Sequence, residues 1–194
     1  MKKVFGLVAV VFVTLLSINT NVLADRETNA QYQYISKIQA QGVEYTSRGF
    51  MQVVMDNNAV LTQDFINAGM DIHTTWGKVP VAYGAIYTGS DKSLKVLLNN
   101  GIDPNAEIAG ETPLILAIGR KQPKIVDTLI SYGADVNKTS VNKKPLNYAL
   151  KKKQPVIAIS LLRAGAKADD DALIRAIKLK NSALKEAVFM HYSK

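Results

Sequence analysis

Side chains able to act as nucleophile, general base or metal ligand are scarce in this chain. Its 194 residues include no cysteine and two histidines, His73 and His191. Thiol catalysis, redox exchange and thiolate metal sites are thereby excluded. His73 falls in a loop position that recurs along the chain, where it takes the place of Asn105 and Asn137, which gives it a structural role. His191 lies among the last few residues, where order is commonly lost. Ser140-x-x-Lys143 and Ser182-x-x-Lys185 spell a serine–lysine string known from β-lactamase-type enzymes. So short a string recurs by chance and has meaning only in that fold. The densest acidic run, Asp169-Asp170-Asp171, precedes an apolar helical pattern, and acidic residues at a helix start complement its dipole. That explains the run without a metal. No glycine-rich phosphate loop, H-E-x-x-H or G-x-S-x-G occurs. Catalytic residues, cofactors and metal ligands are therefore all expected to be none.

What remains is charge suited to recognition. From Asp25 to Pro104 there are 6 basic and 8 acidic residues, a net of −2. From Asn105 to Lys194 there are 16 basic and 8 acidic, a net of +8. Much of this excess gathers as Arg120, Lys121 and Lys124, then as Lys151, Lys152 and Lys153, with Lys138, Lys143 and Lys144 between. One reading is a solvated face that keeps the protein soluble. The sharper reading is a surface for an acidic partner.

The elements that position these charges announce themselves as a repeat. Gly69, Gly101, Gly133 and Gly165 lie at a constant spacing of 32. Each follows a matching segment: Phe65-Ile66-Asn67-Ala68, Leu97-Leu98-Asn99-Asn100, Leu129-Ile130-Ser131-Tyr132 and Leu161-Leu162-Arg163-Ala164. A second marker, Val79-Pro80-Val81, Thr112-Pro113-Leu114 and Lys144-Pro145-Leu146, precedes the last three glycines. Proline suits the first turn of a helix, a threonine before it caps that end, and glycine ends a helix in the left-handed conformation. Leu114, Ala117 and Ile118, then Ile125, Val126, Leu129 and Ile130, recur at helical spacing. Each period therefore predicts two short helices, which bury their apolar faces only by stacking on neighbouring pairs.

This pattern resembles the ankyrin-repeat family, whose unit opens on T-P-L-H-x-A and closes on L-L-x-x-G-A-D-V-N. Thr112 to Asn137 is the best copy, with Ile115 in place of the histidine. Val79–Asn105 and Lys144–Ala168 are weaker copies, with Ala82 and Asn147 at that position, and Arg48–His73 is a divergent first unit. The resemblance implies an all-α solenoid of about four helix-turn-helix repeats joined by β-hairpin loops, over 46–73, 74–105, 106–137 and 138–168. An N-terminal capping helix is expected within 25–45, with its apolar residues at Tyr34, Ile35 and Ile38. A C-terminal capping pair is expected over 169–194, with Leu173, Ile174 and Ile177 on one face and Leu184, Val188 and Phe189 on the next.

The first residues predict export. Lys2 and Lys3 precede an apolar run from Val4 to Ile18, and Val22-Leu23-Ala24 offers small residues for cleavage, the layout of a secretory signal. At 15 residues the run falls short of the roughly 20 that cross a bilayer. A signal peptide over 1–24 and a periplasmic mature chain from Asp25 with no membrane span follow. Without cysteine, that chain must be held by packing alone.

Members of the family bind through their hairpin tips and the exposed side of their first helices, which form a concave face. Onto those places the resemblance puts Trp76, Lys78, Glu107, Glu111, Lys138, Asn142 and Lys143, and the basic strip adds Arg120, Lys121, Lys151, Lys152 and Lys153. Trp76, the only tryptophan, is a natural anchor. Tyr83 and Tyr148 are expected in the core. The implied function is binding, and possible inhibition, of an envelope or toxin protein with an acidic surface, in the manner of an immunity factor. The protein would then be a monomer or part of a heteromeric complex, with no nucleic acid expected. Electrostatic capture of anionic envelope lipid or nucleic acid is the alternative, and an enzyme on a repeat scaffold the remote one.

Overall fold

The computed structural model describes residues 27–108 and 110–192. The expected signal peptide lies outside the described residues. The helices are α1 (27–40), α2 (Ser47–Met55), α3 (Ala59–Asn67), α4 (Val81–Thr88), α5 (Asp91–Asn99), α6 (Pro113–Gly119), α7 (Pro123–Ser131), α8 (Pro145–Lys151), α9 (Pro155–Arg163), α10 (Asp170–Lys178) and α11 (Ser182–Tyr192). All but α1 have 7 to 11 residues, too short to persist alone in water. Packing holds them. The first helices α2, α4, α6, α8 and α10 stack in one row, and the second helices α3, α5, α7, α9 and α11 stack in another. Ala85, Ala117 and Ala149, one period apart, are fully buried in successive first helices, and Leu97, Leu129 and Leu161 in successive second helices. The architecture is an all-α repeat solenoid.

Local chemistry sets the ends. Thr112 Oγ1 accepts the Ile115 N–H, with Pro113 at the first helical position. Gly133, at φ +87°, ends α7 and lets the Ala134 N–H return to the Leu129 carbonyl at 2.9 Å. Asn57, Gly89, Lys121 and Lys153 also occupy the left-handed region, at φ 59°, 77°, 57° and 56°. They too lie 32 residues apart, each in the turn between the two helices of its repeat.

Two polar ladders tie repeat to repeat. Asn105 Nδ2 donates to the Gly133 carbonyl at 3.0 Å and its Oδ1 accepts the Asp135 N–H at 2.7 Å. Asn137 does the same with Gly165 and Lys167, at 3.1 and 2.8 Å. At the inner turns Ser90 Oγ donates to the Met55 carbonyl, Gln122 Nε2 to the Ile86 carbonyl and Gln154 Nε2 to the Ile118 carbonyl. The Met55 carbonyl is open at the end of its helix, whereas the Ile86 and Ile118 carbonyls also accept the Gly89 and Lys121 N–H groups, so the glutamines add a second bond to each.

Several expectations need correction. Pro80 is the N-cap of α4, in the place of Thr112, so Val81 takes the proline position and Tyr83, not Ala82, the position of Ile115 and Asn147. The proline is displaced by one residue while the repeat keeps its register. Only Thr75–Trp76 (β1) and Val79–Pro80 (β2) form a two-stranded hairpin among the described residues. The next two loops hold single bridges, Ile108 with Glu111 and Ser140 with Lys143. Where a second rung would continue the former, the Thr112 N–H is donated to Ser140 Oγ of the following loop. Tyr83 and Tyr148 are half-buried rather than core. In the C-terminal pair Ala172, Ala176, Leu184 and Val188 are buried, whereas Ile174, Ile177 and Phe189 are exposed. A terminal pair has a neighbour on one side only, so its outer face stays uncovered.

Candidate functional site

The twelve residues nominated from the sequence fall into three settings. Trp76 and Lys78 sit on the first hairpin, Trp76 in β1 and Lys78 in the turn to β2. The indole is 52% exposed, and the Arg48 guanidinium lies 6.0 Å from its ring centroid. It is half exposed beside the start of α2 and is not part of the core.

Glu107, Glu111, Lys138, Asn142 and Lys143 occupy the next two loops, where they are drawn together as pairs. Lys138 Nζ stands 3.4 Å from a Glu107 carboxylate oxygen and donates to the Asn105 carbonyl at 3.1 Å. Lys143 pairs with Glu111, and this contact, opposed by partial burial, raises the Lys143 pKa. A partner would therefore meet two compensated pairs here. Asn142 is exposed at the tip beside Val141, both with positive φ, at 56° and 47°. The asparagine tolerates that conformation and the β-branched valine does not.

Arg120, Lys121, Lys151, Lys152 and Lys153 cluster at the C-terminal ends of α6 and α8 and the turns that follow. Arg120 lies 3.5 Å from the ring centroid of Tyr87, which is stacked with Tyr83 at 6.1 Å. One repeat pair further on, Tyr148 carries Lys143 at 5.0 Å and Lys152 at 5.5 Å from its centroid. Cations over aromatic faces are held in place without losing their charge. Lys151 opens onto a recess of about 310 Å³ that also involves Asn142, Lys143, Lys144 and Arg175. Lys144 is engaged by Asp169 at 2.7 Å and Arg175 by Asp171 at 2.7 Å. Lys124 is drawn 3.6 Å from the buried Asp91, which also holds Lys95 at 3.1 Å and bonds Thr128. Its charge serves the contact between α5 and α7.

Sequence reasoning missed the aromatic half of this surface: Tyr83, Tyr87 and Tyr148. A signal existed, since Arg120 follows Tyr87 by 33 residues and Lys152, the C-cap of the helix that carries Tyr148, follows it by four. In a stack of period 32, residues about one period apart are neighbours. The aspartate run is also resolved. Asp169 caps α10 by accepting the Ala172 N–H at 3.0 Å. Burial opposes its ionisation, but Lys144, the Ala172 N–H and Asn147 prevail and hold the carboxyl down to about 2.

A family model described as ankyrin repeats (3 copies) matches residues 50–140 and 82–172. No curated protein matches the chain. Among the described residues no helix is long and apolar enough to cross a membrane.

Proposed function

Because the chain belongs to the ankyrin-repeat family, a family of protein-interaction modules, we propose that it is a periplasmic binder that docks an acidic protein surface and inhibits the protein it captures. An envelope enzyme or a toxin is the target class, and the role is that of an immunity factor. Export is supported by the N-terminal pattern of Lys2, Lys3, the apolar run and Val22-Leu23-Ala24. Binding rather than catalysis is supported by the poverty of nucleophiles and bases. The observation that carries the reading is the row of cations over tyrosines: Arg120 on Tyr87, then Lys152 on Tyr148, flanked by Lys121, Lys151 and Lys153. Tyrosine and arginine are, with tryptophan, the residues enriched among interface hot spots. A carboxylate-rich surface would meet positioned cations and flat apolar rings together.

The test captures partners from periplasmic extract on the mature chain and on the triple variant Lys151→Glu, Lys152→Glu, Lys153→Glu. A protein of acidic surface retained by the first and lost by the second, at unchanged melting temperature, is the expected result. Capture unaffected by the triple variant overturns the assignment of the face. Retention only of nucleic acid or anionic lipid, released steeply by salt, supports electrostatic capture instead. N-terminal sequencing of the exported protein should begin at Asp25.

A further inference from the structure

Ala82 stands where Phe50, Leu114 and Leu146 stand in the other repeats, each one period apart. Those three larger side chains are buried in the core. Alanine in the same place is buried too. A recess of about 260 Å³ stands beside Leu146, and at the equivalent place two repeats earlier Ala82 lines a recess of about 220 Å³ beneath the loop that joins the second and third repeats. Ile86, Leu94, Leu98 and Leu129, all buried, form its walls, and Ile102 and Ile108 close over it. At its rim stand His73, Asp103 and Glu107, all exposed.

The physical consequences are specific. Walls that face empty space lose contact on one side, so filling the space is favourable. A recess walled mainly by apolar side chains holds water poorly, and about 150 Å³ of apolar space suffices for benzene. The rim selects further. Asp103 and Glu107 place two carboxylates at the opening, one of them shared with Lys138 at 3.4 Å. An ammonium or other donor on the guest would be welcomed there and a carboxylate repelled. We propose that this cavity is a binding site for a compact apolar molecule, of single-ring size, bearing a cationic rather than an anionic end. The site is separate from the cation–tyrosine row and does not depend on the function assigned to that row.

The test uses the whole chain carrying labelled isoleucine δ1 methyl groups, with Ile86, Ile102 and Ile108 as reporters in the cavity and Ile157 in the fourth repeat as control. Benzylamine, benzene and benzoate serve as probes. Saturable shifts of the three reporters on adding benzylamine or benzene, with Ile157 unmoved, are expected, and benzoate should bind roughly tenfold more weakly than benzylamine. Ala82→Phe, which borrows the residue of the first repeat, should fill the space, abolish the shifts and raise the melting temperature. Ala82→Leu should weaken binding in the same direction. Absence of saturable shifts in the unaltered protein refutes the site outright, whatever the variants do. Undiminished shifts in a folded Ala82→Phe protein refute its location, and benzoate equal to benzylamine refutes the role of the rim.

Discussion

Replacing His73 by asparagine should stabilise the protein, because the loop that carries it is already shaped for the substitution. The His73 N–H donates to Asp71 Oδ1 at 2.8 Å, as Asn105 N–H does to Asp103 and Asn137 N–H to Asp135, both at 2.8 Å. Asn105 and Asn137 then use their amides to reach a carbonyl and an N–H of the next repeat. The first junction lacks this bridge, since the imidazole makes no hydrogen bond among the described residues. In His73→Asn the new side-chain amide would find the Gly101 carbonyl and the Asp103 N–H in the equivalent places. Two such bonds, each worth about 1 kcal/mol net and roughly halved for exposure to water, amount to about 1 kcal/mol. For a chain of this length that is about 2–4 °C in melting temperature. Urea unfolding followed by circular dichroism should show a higher midpoint at constant slope. Asn105→Ala should lose a similar amount. If Asn105→Ala is destabilised while His73→Asn stays at or below the unaltered protein, the claim that the first loop shares the geometry of the others is refuted.

Four further outcomes follow from the same geometry. Val141→Gly, at the exposed loop tip with φ 47°, should raise stability by about 1 kcal/mol in thermal unfolding, since a β-branched residue there is strained. Gly89→Ala should lose about 1–3 kcal/mol: φ is +77° and a Cβ would lie 2.2 Å from Gln122 Oε1, displacing the amide that bonds the Ile86 carbonyl. Asp91 and Asp169 both have lowered pKa values, Asp169 at about 2. Their contribution is complete above the unfolded carboxylate value near 3.9 and is lost as pH falls through the lowered folded values, about 2 for Asp169. Asp169→Asn, which can still cap α10, should therefore flatten the fall in melting temperature between about pH 4 and pH 2. The double variant Lys121→Gly, Lys153→Gly should be more stable by roughly 1 kcal/mol or more and should bind the captured acidic partner more weakly in calorimetry.

The repeat and its helix ends were legible because glycine and proline are used for their backbone geometry, which few other residues supply. The position of Pro80 was not, since Val79-Pro80-Val81 imitates Thr112-Pro113-Leu114 while standing one residue early. Proline is tolerated at either place, so the motif alone could not set the register. The inner turn escaped notice for the opposite reason. Asn57, Gly89, Lys121 and Lys153 share one conformation but span three residue types, and only two of them announce it. Of the candidate site, the placement of the cations was readable from the period. Their states were not: the pairing of Lys138 with Glu107 and of Lys143 with Glu111 requires knowing that neighbouring loops lie side by side.

That pairing alters the meaning of the net charge. The loop tips carry cations and carboxylates in compensating pairs, and Lys124, Lys144 and Arg175 each face an aspartate. Arg120, Lys121, Lys151, Lys152 and Lys153, on the ends of two adjacent first helices, form a cluster without ion pairs among the described residues, whereas other unpaired cations such as Arg163, Lys167 and Lys185 lie on α9, in the loop after it and in the C-terminal cap. Two of these five hold a conformation that asparagine or glycine adopts at lower energy, as Asn57 and Gly89 do in the first two repeats. Lysine at such a turn gains nothing inside the fold, because Lys121 and Lys153 are exposed and form no ion pair among the described residues. Strain that coincides with unpaired charge at these two turns supports the proposed contact with another molecule. The strain and the charge coincide at the same turns, beside the tyrosines that hold Arg120 and Lys152 in place, and this coincidence supports the proposed binding surface over a merely solvated one.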